Sequence, residues 1–251
     1  MVISIMQARM GSKRLPGKVL KTIKGKTLLE LYLNRVKPSK LINKIVVATT
    51  DLEQDNRIEE LVVRLGFECF RGSEKDLLDR YYKCACSYNA EVIVRITPDD
   101  PFVDYQVVDR GISIFLENDV DFVTNHLTPT FPEGLDVEIY SFSAIEKLWH
   151  QAKLLSEREH VFPYIQNHPE EFRIINFTQE EDFSHLRWTI DYECDYEMTK
   201  VIYEHLYDQK KLFLQKDIIQ LLQKNPEIPE MNAHIQRKEG VNRTKTNDQI
   251  M

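Results

Sequence analysis

Apolar residues in the first half of the chain come in two rhythms that take turns. Short runs with little polar interruption read as buried strands: "VISIM" at 2–6, "INKIVVATT" at 42–50, "ECFRG" at 68–72, "EVIVRI" at 91–96 and "DFVTN" at 121–125. Between them lie segments with helical spacing. These are "TLLELYLNRV" at 27–36, "RIEELVVRLG" at 57–66 with Gly66 as its stop, a stretch opened by Ser73 and Asp76 as a capping box and running to about Asn89, and "YQVVDRGISIFLEN" at 105–118. Strict alternation of strand and helix predicts a mostly parallel, doubly wound α/β sheet with helices on both faces. Ligands of such sheets bind beyond the carboxyl ends of the strands. The loop after the first strand and "TPDDP" after a later one should therefore share one rim.

The second half is less regular. "DVEIYSF" at 136–142 reads as a strand, 143–154 and 156–167 as helices, and "FRIINF" and "LRWTI" as two strands of a small antiparallel excursion. Two helices follow, "DYEMTKVIYEHLY" and "KDIIQLLQKN". From about Asn225 the pattern dissolves into polar residues. The expectation is one domain over residues 1–225 and a polar tail over 226–251, flexible in part.

Charge sharpens the picture. The 251 residues carry a net charge of −7, yet the first 29 hold seven Lys or Arg and no acid. That segment sums to +7 and the remainder to −14. A general nucleic-acid or anionic-membrane surface is excluded by the acidic whole. A small anionic ligand held by one cationic loop is not. Cys69, Cys84, Cys86 and Cys194 form no CxxC pair and read as reduced thiols. No run approaches the roughly 20 apolar residues of a membrane helix, and "MVISIMQARM" is too short an apolar run for a signal peptide. A cytoplasmic protein is expected.

The cationic loop is "QARMGSKRLPGKVL", Gln7 to Leu20. Gly11 and Gly17 let backbone N–H groups approach an anion. Arg9, Arg14 and Lys18 can neutralise a polyphosphate, the arginines in bidentate fashion. It is not a P-loop: Gly11 and Gly17 are one residue too far apart, and Val19 stands where Ser or Thr belongs. No GxGxxG and no GxSxG occurs. The loop "FPEGLDVEIY" adds Glu133 and Asp136, acceptors suited to sugar hydroxyls. No histidine spacing suits a transition metal.

With those residues in view, the loop resembles the signature of the cytidylyltransferases that activate acidic sugars, such as 3-deoxy-manno-octulosonate and acylneuraminate. The likeness is greatest to the subgroup of spore coat polysaccharide biosynthesis protein F. Its other landmarks recur in order: "LLDRYY" (77–82), "RITPDDPFVD" (95–104), "FPEGLDVEIYSF" (131–142), "EREHVFPYI" (157–165) and "LRWTIDYECDYE" (186–197). The likeness spans roughly residues 1–225.

The resemblance implies a fold of the nucleotide-diphospho-sugar transferase type. It also implies a magnesium-dependent enzyme that moves CMP from CTP to a sugar, with an acidic 2-keto-3-deoxy sugar the expected acceptor. Ala8, Arg9, Gly11, Ser12, Arg14, Lys18 and Arg80 would bind the nucleotide, and Arg9, Lys18 and Asp99 would act in catalysis. Glu133, Asp136, Arg158 and His160 would meet the sugar, Arg158 through the carboxylate such substrates carry. Asp99 and Asp191 would hold magnesium, with Asp100 the alternative to Asp99. A homodimer is implied as well. One departure is Pro98, where the subgroup usually has glycine. Use of another nucleotide or a sugar 1-phosphate, and a non-catalytic binding homologue, stay open at this stage.

Overall fold

The computed structural model describes residues 1–237, 244–246 and 248–251. Its strands are β1 (Val2–Gln7), β2 (Thr22–Ile23), β3 (Lys26–Thr27), β4 (Lys44–Thr50), β5 (Glu68–Gly72), β6 (Val92–Ile96), β7 (Phe122–Thr124), β8 (Glu138–Ser141) and β9 (Ile174–Asn176). The helices are α1 (Leu28–Val36), α2 (Asn56–Arg64), α3 (Leu77–Ser87), α4 (Tyr105–Glu117), α5 (Phe142–Gln151), α6 (Leu155–His160), α7 (Phe162–Asn167), α8 (Glu193–Leu206), α9 (Gln215–Lys224) and α10 (Glu227–Glu230).

Seven strands form one sheet in the order β5-β4-β1-β6-β8-β7-β9. β5, β4, β1 and β6 are mutually parallel. β8, set between β6 and β7, is antiparallel to both, while β9, formed by "FRIINF", pairs parallel with β7, so the antiparallel strand is β8 and not the expected "FRIINF". The apolar runs are explained by burial on both faces. Along β1, Ile3 and Ile5 join one core with α3 and α5; Val2 and Met6 point the other way into a core with α1, α2, α4 and α8. This period of two divides a single "VISIM" between two layers.

Local chemistry sets the helix ends. Thr27 accepts from the Glu30 N–H to start α1, Asp104 caps α4 and Ser141 caps α5. Gly66, at φ +79°, follows the end of α2. The cap of α3 is Asp76, which accepts from the Asp79 N–H; Ser73 accepts from the Asp76 N–H and braces the turn ahead of the helix. This corrects the reading of Ser73 as the cap.

Two further expectations change. "LRWTI" forms no ladder: among the described residues it has one isolated bridge, Glu133 with Arg187. The helix expected over 156–167 breaks into α6 and α7 at Val161, whose φ is +66°. Of the polar tail expected over 226–251, some of the described residues dock on the fold. Asn232 is buried and donates to Asp195, Arg237 pairs with Asp136, and Asp248 accepts from the Ser156 N–H at the start of α6. A polar segment docks here because its side chains complete groups the rest of the fold leaves wanting. Residues 238–243 and 247, also called tail, lie outside the described residues. Among the described residues no helix is long and apolar enough to cross a membrane.

Candidate active site

Met6 of β1 and Ile96 of β6 are register partners, so the loops that follow leave the sheet side by side. A cleft of about 870 Å³ opens over these strand ends. The cationic loop is held in place by a few bonds. Ala8 N–H donates to the Ala48 carbonyl at 3.1 Å, and Met10 N–H to buried Asp55 at 2.7 Å. The Met10 carbonyl then accepts from both Ser12 and Gly17, at 2.9 and 3.0 Å. Gly17 has φ +66° and precedes a short 3-10 turn, Lys18–Leu20, which turns Lys18 inward.

Lys18 is the centre of the site. Its ammonium donates to Asp99 at 3.2 Å, to Asp191 at 3.1 Å and to the Ile190 carbonyl at 2.7 Å. Arg14 pairs with the same Asp191 oxygen. Burial alone would lower the Lys18 pKa; the two carboxylates override it and raise it. Burial alone would raise the Asp191 carboxyl, but Lys18 and Arg14 hold it down at about 2.

The extended stretch 186–190 brings these groups together. Trp188 N–H bonds the Glu133 carbonyl and Ile190 N–H bonds the Asp99 carbonyl, both at 2.7 Å. Fully buried Asp195 accepts from the Asp191 and Tyr192 N–H groups and from Arg187. Arg187 also binds Glu133 at 2.8 Å. Gly134, at φ +102°, lies so close to this stretch that an added Cβ would sit 2.8 Å from Thr189 N.

Of the two neighbouring acids, Asp99 faces Lys18 and Asp191. Asp100 is buried, takes the Thr97 hydroxyl, and has its carboxyl pushed well up by burial and by Asp99 beside it. Pro98 lines the cleft just before this pair.

Ala8, Arg9, Ser12, Arg14, Lys18, Arg80, Asp99, Glu133, Asp136, His160 and Asp191 all line the cleft. Arg9 sits at its mouth between Glu74 (3.0 Å) and Glu159 (3.7 Å). Arg80 is 2% exposed, its Nε has no partner among the described residues, and burial followed by the charge of Arg9 lowers its pKa. His160 bonds Thr244 at 2.9 Å, and burial lowers its pKa.

Two expected residues lie elsewhere. Gly11 is exposed and outside the cleft lining. Arg158 turns away from the cleft: it grips Asp76 and donates to the carbonyls of Trp149 and Ala152, so it ties α3 to the end of α5. Every donor direction it uses is internal, so the structure does not bring it to the cleft with the other residues expected to meet the sugar.

The cleft also has a polar floor that sequence reasoning passed over. Arg95 of β6 and Glu138 of β8 pair at 2.9 Å, His126 bonds Glu138 at 3.1 Å, and the Tyr140 hydroxyl donates to it at 2.5 Å. Burial would raise Glu138; Arg95 and His126 bring it down to about 2. The available signal was a lone charge in each of two otherwise apolar strands, "VIVRI" and "VEIY".

A mostly parallel sheet with cations and carboxylates converging on its carboxyl rim is a fold shared with solved nucleotidyltransferases. More particularly, the chain belongs to the cytidylyltransferase family, whose model matches residues 3–227, and is a CTP-dependent nucleotidyltransferase. It is 34% identical to spore coat polysaccharide biosynthesis protein SpsF of Bacillus subtilis, over 90% of this chain and 95% of that one. A solved cytidylyltransferase of Leptospira borgpetersenii matches with TM-score 0.88 and 38% identity, covering 94% of this chain and 99% of the other. A CMP:2-keto-3-deoxy-manno-octonic acid synthetase complexed with CTP shares the fold at TM-score 0.65 and 15% identity, over 82% of this chain and 99% of that one.

Proposed function

We propose that this protein transfers CMP from CTP to a sugar hydroxyl in polysaccharide or glycan synthesis. The oxygen of the hydroxyl bonds to the α-phosphorus and its proton passes to solvent water. The bond from the α-phosphorus to the bridging oxygen breaks, and pyrophosphate leaves with the electron pair. Such transfer depends on positioning and charge neutralisation more than on covalent chemistry. The observation that carries the reading is the meeting of Arg14, Lys18, Asp99 and Asp191 at one point of the rim. Arg14 and Lys18 would neutralise the triphosphate, and Arg9 and Arg80 extend the cationic wall of the same cleft.

Magnesium fits the donor set. Asp99 and Asp191 offer hard oxygen ligands within 3.2 Å of one cationic point. Among the described residues no group of three or more His, Cys, Asp or Glu gathers as a metal cage. Magnesium usually takes one or two carboxylates and fills its shell with phosphate and water. When bound, it would supply charge neutralisation at the phosphates.

The first acceptors to test are 2-keto-3-deoxy sugar acids. Pyrophosphate release with CTP, magnesium and one of them is expected; no release with any acid or sugar phosphate would refute sugar transfer. Thermal stabilisation by CTP above that by GTP, UTP and ATP is expected by linkage. A homodimer and a cytoplasmic location belong to the same proposal, the first checked by sedimentation.

A further inference from the structure

We propose that Lys18 is an exchangeable resident cation: its ammonium keeps Asp99 and Asp191 closed to divalent metal until the phosphates of a nucleotide draw it away. The proposal rests on the CTP reading of the site, and it predicts that metal and nucleotide enter as coupled ligands.

The charge count carries it. Asp99 and Asp191 contribute two negative charges, and Lys18 and Arg14, both bonded to this pair, contribute two positive ones. Arg187, which also touches Asp191, is held by Asp195 and Glu133. The carboxylate pair is therefore already neutralised by the protein. Lys18 is also saturated: an ammonium has three donors, and they go to Asp99, Asp191 and the Ile190 carbonyl.

A divalent ion arriving alone must push out an ammonium that is 8% exposed, leaving a buried charge with one carbonyl for company. An unpaired buried charge is strongly unfavourable. A triphosphate changes the balance. It offers Lys18 and Arg14 new anionic partners, and Lys18 can follow on its flexible four-carbon stem. Both carboxylates are then released toward the metal. By reciprocity, metal raises nucleotide affinity by the same factor.

The test uses Mn2+ alone, titrated calorimetrically into the full chain without nucleotide. Wild type should bind it weakly, and Lys18→Met at least about tenfold more tightly. Mn2+ should also raise the melting temperature of Lys18→Met more than that of wild type. Adding Asp99→Asn to Lys18→Met should abolish the gain. The proposal is overturned if Lys18→Met binds Mn2+ no more tightly than wild type, or if Asp99→Asn leaves the gain intact. Should Lys18→Met not fold, Lys18→Gln keeps a donor for the Ile190 carbonyl without the charge, and the same comparison decides. The stabilisation of wild type by CTP with Mg2+ present is read separately. Its absence rejects the nucleotide reading, while the metal-alone comparison still judges Lys18.

Discussion

The rim and the floor of the cleft are both built from paired charges, but in different ways. At the rim, Lys18 and Arg14 come from one loop, Asp99 from another and Asp191 from a third segment. These partners are joined through their side chains and not by strand register, so a ligand can take over a partner. At the floor, Arg95 and Glu138 are register partners on adjacent strands β6 and β8, and Tyr140 is on the same strand as Glu138. There the sheet fixes the pair. The rim is suited to exchange charge with a substrate; the floor holds its charges as a pair fixed by strand register.

The largest effect should therefore come from breaking the floor. Glu138→Gln leaves Arg95 charged, 9% exposed and without its carboxylate. Loss of one partner of a buried pair costs about 3–5 kcal/mol. Chemical denaturation should show that loss. CTP-induced stabilisation of the folded fraction should persist, because the rim is untouched. If CTP stabilisation vanishes while stability holds, the two regions have been assigned the wrong way round.

Asp191→Asn does the opposite. It removes a charge on which Lys18 and Arg14 converge. Pyrophosphate release should fall about a hundredfold, roughly 2.7 kcal/mol of transition-state stabilisation. Stability should fall less than in Glu138→Gln, since Lys18 keeps Asp99 and the Ile190 carbonyl. A variant with full activity would remove Asp191 from the mechanism.

The rim was legible in the sequence because its cause is local. Seven cations and no acid in 29 residues, with Gly17 at a turn, need no tertiary knowledge to read. The strands and helices of the first half were legible because burial on both faces leaves a clear apolar rhythm. The floor was not, because Arg95 and Glu138 are 43 residues apart and meet only through strand register. Arg158 shows the complementary limit: a motif marks a position, but whether its side chain enters the cleft or braces α3 depends on packing. The contacts of the C-terminal segment were not legible for a related reason. Its polar composition signals fraying, yet Asn232 and Arg237 find Asp195 and Asp136.

Acid should act on both regions at once. Asp191 and Glu138 are each held at about 2 in the folded protein, below their ordinary values of 3.8 and 4.5. A lowered carboxyl contributes stability that is complete above its unfolded value and is lost as pH falls through the folded one. The lowering is worth about 2 kcal/mol at Asp191 and about 3 kcal/mol at Glu138. Stability should thus decline from about pH 4.5 down to about 2. In Glu138→Gln that slope should be shallower by about half, with the Asp191 share remaining. An unchanged acid limb would show that the floor pair contributes nothing to it.

Arg14→Ala should give the smallest effect, and it isolates exchange at the rim. Arg14 is one of two cations on the same Asp191 oxygen, and its ring contact with Tyr192 lies at 5.2 Å. Its removal leaves Lys18 in place, so stability should change by no more than about 1 kcal/mol. Nucleotide binding should suffer more than the fold, because a charge-assisted bond to phosphate is lost: about tenfold in the Kd for CTP. Calorimetric titration of CTP beside a denaturation curve makes the comparison in one variant. A loss of stability larger than the loss of binding would mean that the rim, like the floor, is held chiefly to support the fold.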